Sequence, residues 1–400
     1  MHVYIYVRTP VWVEFSFARW RSQSPQEVLA DSTELSQLLG LEFALHYYMW
    51  YSQPRDGVVN ELTPQYAALN GVRDVVNSLQ SKHRVNVVLY TNGRFADMRI
   101  NWPNISSSAC HQHNYNPILE GWEAGVPPYA LMNPAEPQWQ RILSDAIAGV
   151  AHTTDSRGVY IDQLSSYYPQ PCYPLQTNGI SGAWAAGTNK LLRASAEKSG
   201  AAILSESNAE AYIGSVHGNL ALYGWRRCGY VPAFQAVYSG YTVNIGKQNW
   251  PSLSVGNGTM FRATLARQAV FGHVLGWFAL TEVLPLLRQP EHQHNLKFIQ
   301  ALGTLRANSS RFLVHGRMIR PPIFGTSIPS MPVCHPMEGC CNVSQVLASA
   351  WLATNGDLGL LVINWGDTAL NVDIRTAGSD TRSFRLSKSV SARTVLLIEH

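Results

Sequence analysis

The chain has 400 residues, which is long enough to bury one large hydrophobic core and to carry a small second domain. Its composition, 46% hydrophobic and 14% charged residues, excludes a disordered or fibrous protein. The formal net charge of +4 is spread along the chain without a run of more than two lysines or arginines, so nothing supports a nucleic-acid-binding groove.

The first residues, 1–7, have the composition of a strand and lack the basic region, long apolar stretch and cleavage site of a signal peptide. The sequence therefore leaves the compartment open, and a signal missing upstream would make the protein secreted or extracytoplasmic. Residues 269–287 are nearly long enough to span a membrane, but they contain His273 and Glu282. We predict a buried helix that runs into a strand there, and no membrane span.

Strand and helix signals alternate along the first 331 residues, which is typical of a parallel α/β architecture. Strands are expected at residues 11–15, 43–50, 85–90, 158–162, 201–206, 231–238, 276–280 and 318–324. Helices are expected at residues 24–39, 69–79, 133–150, 184–198, 212–222, 260–273 and 296–313. Ser24-Pro25 and Asn133-Pro134 are typical helix starts, and Gly40 and Gly200 are typical stops.

This alternation predicts a (β/α)8 barrel domain at residues 1–331. The weakest part is the eighth strand, since 318–324 contains two prolines. A long irregular segment, residues 95–131, follows the third strand and is expected on the barrel face where functional loops lie.

Residues 332–400 have a different pattern, with short strands of period two and no helix signal. The strands are expected at residues 346–353, 358–364, 369–375, 383–386 and 394–399, with a tight hairpin at Asn355-Gly356-Asp357. We predict a small C-terminal antiparallel β-sandwich domain that braces the barrel or a substrate.

The six cysteines are an even number, compatible with up to three disulfides. Cys110 lies near His111 and His113, and Cys334 near His335, Cys340 and Cys341, but neither group has the paired spacing of a structural zinc site. No phosphate-binding glycine loop or Ser-His-Asp arrangement is evident. We predict no metal site and no cofactor.

Two acids occupy special positions, because each ends an apolar run expected to be a buried parallel strand. Asp162 ends Gly158-Val159-Tyr160-Ile161-Asp162, and Glu206 ends Ala201-Ala202-Ile203-Leu204-Ser205-Glu206. A carboxylate at the carboxyl end of a barrel strand points into a site and is not explained by packing. Two such acids on successive strands are the groups that glycoside hydrolysis requires.

Three segments carry a family resemblance: Gly-Val-Tyr-Ile-Asp-Gln at 158–163, Ser-Glu-Ser-Asn-Ala-Glu at 205–210 and Val-Pro-Ala-Phe-Gln-Ala-Val-Tyr-Ser-Gly-Tyr at 231–241. The chain resembles a poorly characterised, mostly bacterial group of glycosidase-like (β/α)8 barrel proteins known as a domain of unknown function. The third segment is distinctive, whereas many barrel glycosidases share the first two. The resemblance covers residues 12–322 and the trailing sandwich. Group members often carry a β-rich domain ahead of the barrel, which implies that an amino-terminal part is missing here.

The order of the two acids is also similar to that in α-amylase-like, dextranase-like and endo-α-N-acetylgalactosaminidase-like barrels. That resemblance implies a retaining glycoside hydrolase in which Asp162 is the nucleophile and Glu206 the general acid/base. This sequence departs from the α-amylase pattern, because Tyr160 stands two residues before Asp162, where that family has an arginine. Amylase specificity is therefore not implied.

Polar and aromatic residues near the other strand ends are candidate substrate-binding residues: His46, Trp50, Asn92, Arg94, Tyr160, Gln163, Glu210, Gln235, Tyr238 and Glu282. For each of them, an ordinary polar group in the core or in a loop explains the residue equally well. Glu210 competes for the acid role or is an acid at a helix start. A glutamate after strand seven, Glu282, would instead indicate the layout of β-glycosidases.

Two alternatives from other classes stay open. The first alternative is a glycosidase-like barrel without catalytic activity, which binds glycans or serves as a structural protein. The second is a metal-dependent hydrolase or lyase. A metal-dependent enzyme of this kind would need a His-x-His on strand one, where the sequence offers only Glu14. The expected partner is an oligosaccharide or polysaccharide substrate, and the sugar, its linkage and the oligomeric state are not determined.

Overall fold

The computed structural model describes residues 11–15, 24–52, 66–97, 105–120, 129–166, 169–170, 172, 181–221, 231–246, 258–335, 339–376 and 385–399. The chain divides into two compact units. The first is built mainly from His46–Leu220, and the second mainly from Ala30–Leu45 and Ala221–His400.

The strands before residue 280 include those of a parallel sheet. In the described part of the chain they are β1 (Val11–Phe15), β2 (Phe43–Tyr47), β3 (Val85–Asn92), β4 (Phe95–Ala96), β5 (Leu119–Glu120), β6 (Tyr129–Leu131), β7 (Gly158–Asp162), β8 (Ala202–Glu206), β9 (Gly218–Leu220), β10 (Val243–Ile245) and β11 (Leu275–Ala279). The order in the eight-stranded sheet is β10-β9-β8-β7-β3-β2-β1-β11. A parallel bridge between Ile245 and Val274 also joins β10 to the start of β11, as the closure of a barrel requires. The fold is therefore the predicted (β/α)8 barrel.

Helices alternate with these strands. They are α1 (Pro25–Leu39), α2 (Val72–Lys82), α3 (Pro137–Thr154), α4 (Ser181–Ser199), α5 (Ala233–Tyr238), α6 (Thr259–Val270), α7 (Leu280–Leu287), α8 (Gln293–Asn308) and α9 (Ser310–Leu313). The start of α1 is a capping box, since the Ser24 backbone N–H donates to the Glu27 carboxylate and the Glu27 N–H donates to Ser24 Oγ. Gly40, with φ of 64°, follows the end of α1 as predicted.

The strands that carry the two acids lie side by side in the first unit. All eight residues of β3 are buried, and in both β7 and β8 the first four residues are buried while the terminal acid is half-buried. The Val, Ile and Leu residues of these strands fit a sheet that is covered on both faces. Asp162 and Glu206 are therefore where each strand leaves the core.

The later strands differ from the prediction. Residues 231–238, expected as the sixth strand, contain the helix α5, and residues 212–222, expected as a helix, contain the strand β9. The sixth barrel strand is β9 and the seventh is β10. Residues 276–280 were expected to be the seventh strand, but they overlap β11, which is the eighth. Short apolar runs fit a helix and a strand equally well, and strands of three residues carry almost no periodic signal.

An insertion follows β3, as the long irregular segment predicted. Strands β4, β5 and β6 form a three-stranded antiparallel sheet. A 3-10 turn at Ile105–Ser108 lies between β4 and β5 in the chain. The insertion has its own hydrophobic cluster, made of Phe95, Cys110, Tyr129, Leu131, Cys172 and Trp184. A disulfide joins Cys110 to Cys172, which lies beyond β7 in the sequence. The insertion is therefore linked covalently to the segment that follows Asp162.

The C-terminal strands form antiparallel sheets in the second unit. In the described residues they are β12 (Arg317–Met318), β13 (Ile323–Phe324), β14 (Ser330–His335), β15 (Gly339–Ser344), β16 (Val346–Leu352), β17 (Leu358–Asn364), β18 (Leu370–Arg375), β19 (Arg385–Val390) and β20 (Thr394–Glu399). Sheets β12-β16-β17-β20 and β13-β18-β19 share a core of residues such as Val346, Leu360, Val372 and Ile374. The predicted β-sandwich is confirmed.

Residues 318–324 do not form the eighth barrel strand. Met318 pairs with Trp351 and Phe324 pairs with Ile374, so β12 and β13 are antiparallel members of the C-terminal sheets. The prolines that made 318–324 a poor interior strand lie between these two short edge strands. The domain division at residues 331 and 332 stays a prediction.

The described cysteines are all oxidised. Besides Cys110–Cys172, a disulfide joins Cys334 to Cys340 across β14 and β15, and Cys341 is also disulfide-bonded. Among the described residues, no helix combines the length and the apolar character that a membrane crossing requires.

Candidate functional site

The two acids predicted from the sequence lie on adjacent parallel strands. Ile161 of β7 is level with Ser205 of β8, so the residues that follow them, Asp162 and Glu206, are next to each other across the sheet. Asp162 is also level with Asn92 of β3. Residues level with each other on neighbouring parallel strands point to the same face of the sheet. Asn92, Asp162 and Glu206 therefore form one polar layer at the carboxyl ends of three strands.

Each acid receives a hydrogen bond from a neutral hydroxyl group. The Tyr90 hydroxyl donates to Asp162 Oδ2 at 3.1 Å. Ser166 Oγ donates to Glu206 Oε2 at 2.9 Å, and Ser165 Oγ donates to the Glu206 backbone carbonyl at 2.6 Å. Both serines belong to the loop that directly follows Asp162, so this loop holds the neighbouring acid in position.

The backbone turns sharply after each of the polar strand ends. Gln163 and Ser207, the residues after the two acids, have φ of 59° and 65° and so are in the left-handed region, which is uncommon for residues other than glycine. After Asn92 the chain needs Gly93 itself, because a Cβ there would lie 2.4 Å from Ile161 Cγ2 on the next strand. Strained turns of this kind are concentrated at functional sites.

A layer of aromatic rings lies one step below the acids. Tyr90 and Tyr160 are level with each other on β3 and β7, with ring centroids 6.3 Å apart, and His46 contacts Tyr160 at 4.6 Å between ring centroids. Complete burial lowers the pKa of His46 to about 3, so its imidazole is neutral at any ordinary working pH. Of the predicted substrate-binding residues, His46 and Tyr160 thus form the floor beneath the acids.

Asn92 is the predicted binding residue whose geometry best fits a ligand contact. Its side chain is 3% exposed, and Oδ1 accepts hydrogen bonds from the backbone N–H groups of Arg94 and Phe95. Its backbone N–H donates to the Tyr66 hydroxyl at 2.8 Å. The amide Nδ2 has no hydrogen-bond partner among the described residues. Since buried polar atoms are normally paired, this donor makes Asn92 a candidate ligand contact in the layer of the acids.

Two other candidates have structural contacts. Arg94 is buried, donates to both carboxylate oxygens of Glu120 on β5 at 2.7 and 2.8 Å, and lies over the Phe95 ring. It therefore fastens the insertion to the end of β3. Trp50 is fully buried, and its indole N–H donates to the Tyr90 carbonyl at 2.9 Å. Both residues therefore have structural contacts, and their predicted role beside a sugar stays a prediction.

The remaining candidates are dispersed. Gln163 follows Asp162, and its Oε1 is buried without a hydrogen-bond partner in the described part of the chain. Glu210 is exposed at the start of a 3-10 turn. Gln235 and Tyr238 lie in the second unit on helix α5, so their placement on a barrel strand was wrong. Glu282, also in that unit, lies in the first turn of α7 after the eighth strand, and burial raises its pKa to about 7.

Tyr90, Ser165 and Ser166 contact the two acids but were not among the residues predicted from the sequence. Tyr90 stands two residues before Asn92, just as Tyr160 stands two residues before Asp162, and this period of two indicates that both rings face the site. The serine contacts had no signal in the sequence, because they depend on how the loop after β7 folds. Among the described residues, no group of three His, Cys, Asp or Glu side chains is arranged to hold a metal ion.

Two curated relatives are named as candidate glycoside hydrolases. One, from Monosiga brevicollis, is 25% identical over 417 residues, covering 90% of this chain and 34% of the relative. The other, from Bacteroides thetaiotaomicron, is 24% identical over 359 residues, covering 86% of this chain and 51% of the relative. The chain thus spans only about a third to a half of the length of these proteins.

Solved structures with a similar fold are barrel glycosidases. An Anoxybacillus α-amylase aligns with a TM-score of 0.61 at 10% identity over 98% of both chains. The α-galactosidase AgaA from Geobacillus stearothermophilus aligns with a TM-score of 0.60 at 10% identity, over all of this chain and 58% of that one. An α-N-acetylgalactosaminidase from Bifidobacterium bifidum aligns with a TM-score of 0.61 at 11% identity, over 90% of this chain and 57% of that one. At such identities the likeness concerns the fold alone.

The family itself is shown by the sequence. Residues 5–250, more than half of the chain, match one family over the part that contains both acids. This agrees with the resemblance predicted from the three sequence segments. The chain belongs to the family described as domain of unknown function DUF6259.

Proposed function

We propose that this protein is a glycoside hydrolase that cleaves its substrate with retention of configuration, with Asp162 as nucleophile and Glu206 as general acid/base. The observation that carries the proposal is the position of the two carboxyl groups, which lie on one face of adjacent strands at their carboxyl ends. In barrel enzymes this end of the strands carries the active site.

The spacing of the strands favours retention. Neighbouring strands lie about 4.8 Å apart, and in retaining glycosidases the two carboxyl groups are about 5–5.5 Å apart. An inverting enzyme needs about 6.5–9.5 Å between them, to leave room for a water molecule. Two acids level with each other on adjacent strands fit the shorter separation.

The reaction proceeds in two steps. The Asp162 carboxylate attacks the anomeric carbon and forms a covalent ester, while the Glu206 carboxyl group gives its proton to the leaving glycosidic oxygen. In the second step Glu206 takes a proton from a water molecule, which attacks the anomeric carbon and releases Asp162 as the carboxylate. The net reaction consumes one water molecule and breaks one glycosidic bond.

The surrounding groups have distinct roles in this proposal. The Tyr90 hydroxyl orients Asp162 and stabilises its negative charge, and Ser166 orients Glu206. The buried Nδ2 of Asn92 donates to a sugar hydroxyl beside Asp162. The neutral layer formed by His46, Tyr90 and Tyr160 supports the acids from below.

The test is a glycoside screen with the parent chain and the variants Asp162→Asn and Glu206→Gln. The names of the structural neighbours suggest α-glucosides, α-galactosides and α-N-acetylgalactosaminides as the first substrates. We expect each variant to lose at least about a hundredfold in kcat/KM. Asp155→Asn is the matched control, since Asp155 lies near the other end of β7 in an exposed ion pair with Arg73.

The stereochemistry of the first product, followed by NMR, tests the mechanism separately from the activity. Retention is expected, and inversion would contradict the assignment of Asp162 as nucleophile. Activity that is unchanged in both variants would remove the proposed site altogether. A parent chain that binds glycans without cleaving any would instead support the alternative of a barrel without catalytic activity.

A further inference from the structure

The insertion after β3 ends in a hairpin tip, residues 111–117, that the proposed reaction does not use. Its backbone is well bonded: the Gln112 N–H donates to the Asn116 carbonyl at 2.7 Å, and the Tyr115 N–H donates to the Gln112 carbonyl at 2.9 Å. At the base of the hairpin, the Ile118 N–H donates to the Cys110 carbonyl at 2.7 Å. The hydrogen bonds and the hydrophobic cluster around Cys110 make the tip a rigid support.

Tyr115 is at the end of this support, and most of its side chain is exposed to solvent. The side chain is 69% exposed, and the backbone φ of 64° places the residue in the left-handed region. That conformation is disfavoured for a bulky residue, whereas glycine or asparagine adopts it readily. A bulky residue in this conformation costs stability, and a ring that is mostly exposed buries little apolar surface in return, so packing alone is a poor explanation for the ring.

The surroundings of Tyr115 specify the chemistry of what binds to it. Residues 105–118 contain no Asp, Glu, Lys or Arg, and the tip itself offers the side chains of Gln112, His113, Asn114 and Asn116, all exposed. A hairpin tip that has no charged side chain among residues 105–118, with amide and imidazole groups around one aromatic ring, fits an uncharged ligand with an apolar face and many hydroxyl groups. A pyranose ring of a neutral glycan has these properties.

The position of the tip indicates which part of a glycan it would meet. The insertion begins at the carboxyl end of β3, and the disulfide joins it to the segment after β7, so it belongs to the face of the barrel that carries the acids. Tyr115 lies on the order of 10 Å beyond the base of the hairpin, counted along its strands. In this arrangement, a sugar on Tyr115 is expected to be a different unit of the glycan from the one attacked by Asp162.

From these observations we infer that Tyr115 is an outer sugar-binding subsite and that the ligand is an extended neutral oligosaccharide or polysaccharide. The inference rests on the proposed function for the place where the glycan is cleaved, but the subsite binds sugar whether or not cleavage occurs.

The test compares Tyr115→Asn with the parent, both in the full-length Asp162→Asn background so that no polymer is consumed. Asparagine tolerates the left-handed conformation, so the turn is kept while the ring is removed. The matched control is Tyr241→Asn, because Tyr241 is 76% exposed but lies in the other unit, outside the insertion. Binding is measured by affinity electrophoresis in native gels that contain starch, dextran, galactomannan or arabinogalactan, with polygalacturonate as the charged comparison.

The background chain should be retarded by at least one neutral polymer and not by polygalacturonate. We expect Tyr115→Asn to weaken that retardation roughly tenfold in apparent association constant, which is the order of one aromatic contact. The Tyr241→Asn control should bind like the background chain. The melting temperature of the Tyr115→Asn chain should be unchanged or higher, since a strained residue has been replaced.

Three results would overturn the inference: equal retardation with and without Tyr115, a lower melting temperature that reveals a structural role of the ring, or no retardation by any neutral polymer. Failure of the proposed function is a separate result, because it is detected as activity that survives in Asp162→Asn. Retardation depends on Tyr115 in either case.

Discussion

The hydrogen bond from Tyr90 to Asp162 allows a specific prediction about one step of the reaction. In the proposed mechanism, Asp162 leaves as a carboxylate when the covalent ester is hydrolysed, and the Tyr90 hydroxyl donates to the charge that reappears on Oδ2. In Tyr90→Phe the ring keeps its place among its neighbours, such as Tyr48 with a centroid distance of 4.1 Å, and only the donor is lost. The variant should therefore slow hydrolysis of the ester and leave the fold unchanged.

The expected size follows from the type of hydrogen bond. Bonds to charged groups contribute about 1.5–3 kcal/mol, and we take the lower end because Asp162 is half-buried. A loss of about 1.5 kcal/mol corresponds to roughly tenfold in rate. We expect kcat to fall roughly tenfold and KM to fall with it, because the ester accumulates when its hydrolysis becomes rate-limiting.

The assay is steady-state kinetics with a glycoside that carries a good leaving group, together with a search for a burst of the leaving group before the steady state. Tyr212→Phe controls for the loss of a buried phenolic hydroxyl, since Tyr212 is buried in the 3-10 turn after β8. If Tyr90→Phe has the kcat and KM of the parent, the hydroxyl does not act on the nucleophile. A rise in KM with kcat unchanged would place Tyr90 in substrate binding instead.

Two further predictions concern the other acids. Ser166→Ala removes the donor to Glu206 Oε2 and should lower kcat/KM by about threefold to tenfold. In a Glu206→Gln background the same substitution should not lower kcat/KM further, and an additive loss would show that the serine acts elsewhere. Burial raises the pKa of Glu282 from its ordinary 4.5 to about 7, so its contribution to stability is fully present below about pH 4.5 and is lost as the pH rises through 7. The melting temperature of Glu282→Gln relative to the parent should therefore increase between pH 5 and pH 8, and a difference that does not vary with pH would contradict the buried carboxyl group.

The sequence located the acids well because their strands are uninterrupted apolar runs that are buried up to the acid. The apolar runs that end at Asp162 and Glu206 became β7 and β8 with almost the expected bounds, and the period of two in residues 346–399 became the antiparallel sheets. Both signals depend only on local burial, which the sequence displays directly.

The errors came from segments whose structure depends on distant contacts. Phe234 and Tyr238 lie one helical turn apart with ring centroids 5.0 Å apart, which is a helix contact that an apolar run does not distinguish from a strand. The hydrogen bond from the Trp50 indole to the Tyr90 carbonyl of the next barrel strand is likewise a distant contact that the sequence does not display. The serine contacts to Glu206 depend on a loop conformation that no period in the sequence encodes.

The Cys110–Cys172 disulfide closes a ring of polypeptide in which Asp162 is a member, since the two cysteines are 62 residues apart. A single proteolytic cut anywhere between them leaves two fragments that remain joined, so Asp162 stays tethered to the remainder of the chain by the uncut route. In the chain-entropy description, closing a ring of this length raises the free energy of the unfolded state by about 4 kcal/mol, because the unfolded chain loses conformational entropy. A nicked molecule would thus migrate as an intact one until a reductant is added, and strand β7 would stay attached to the chain after such a cut.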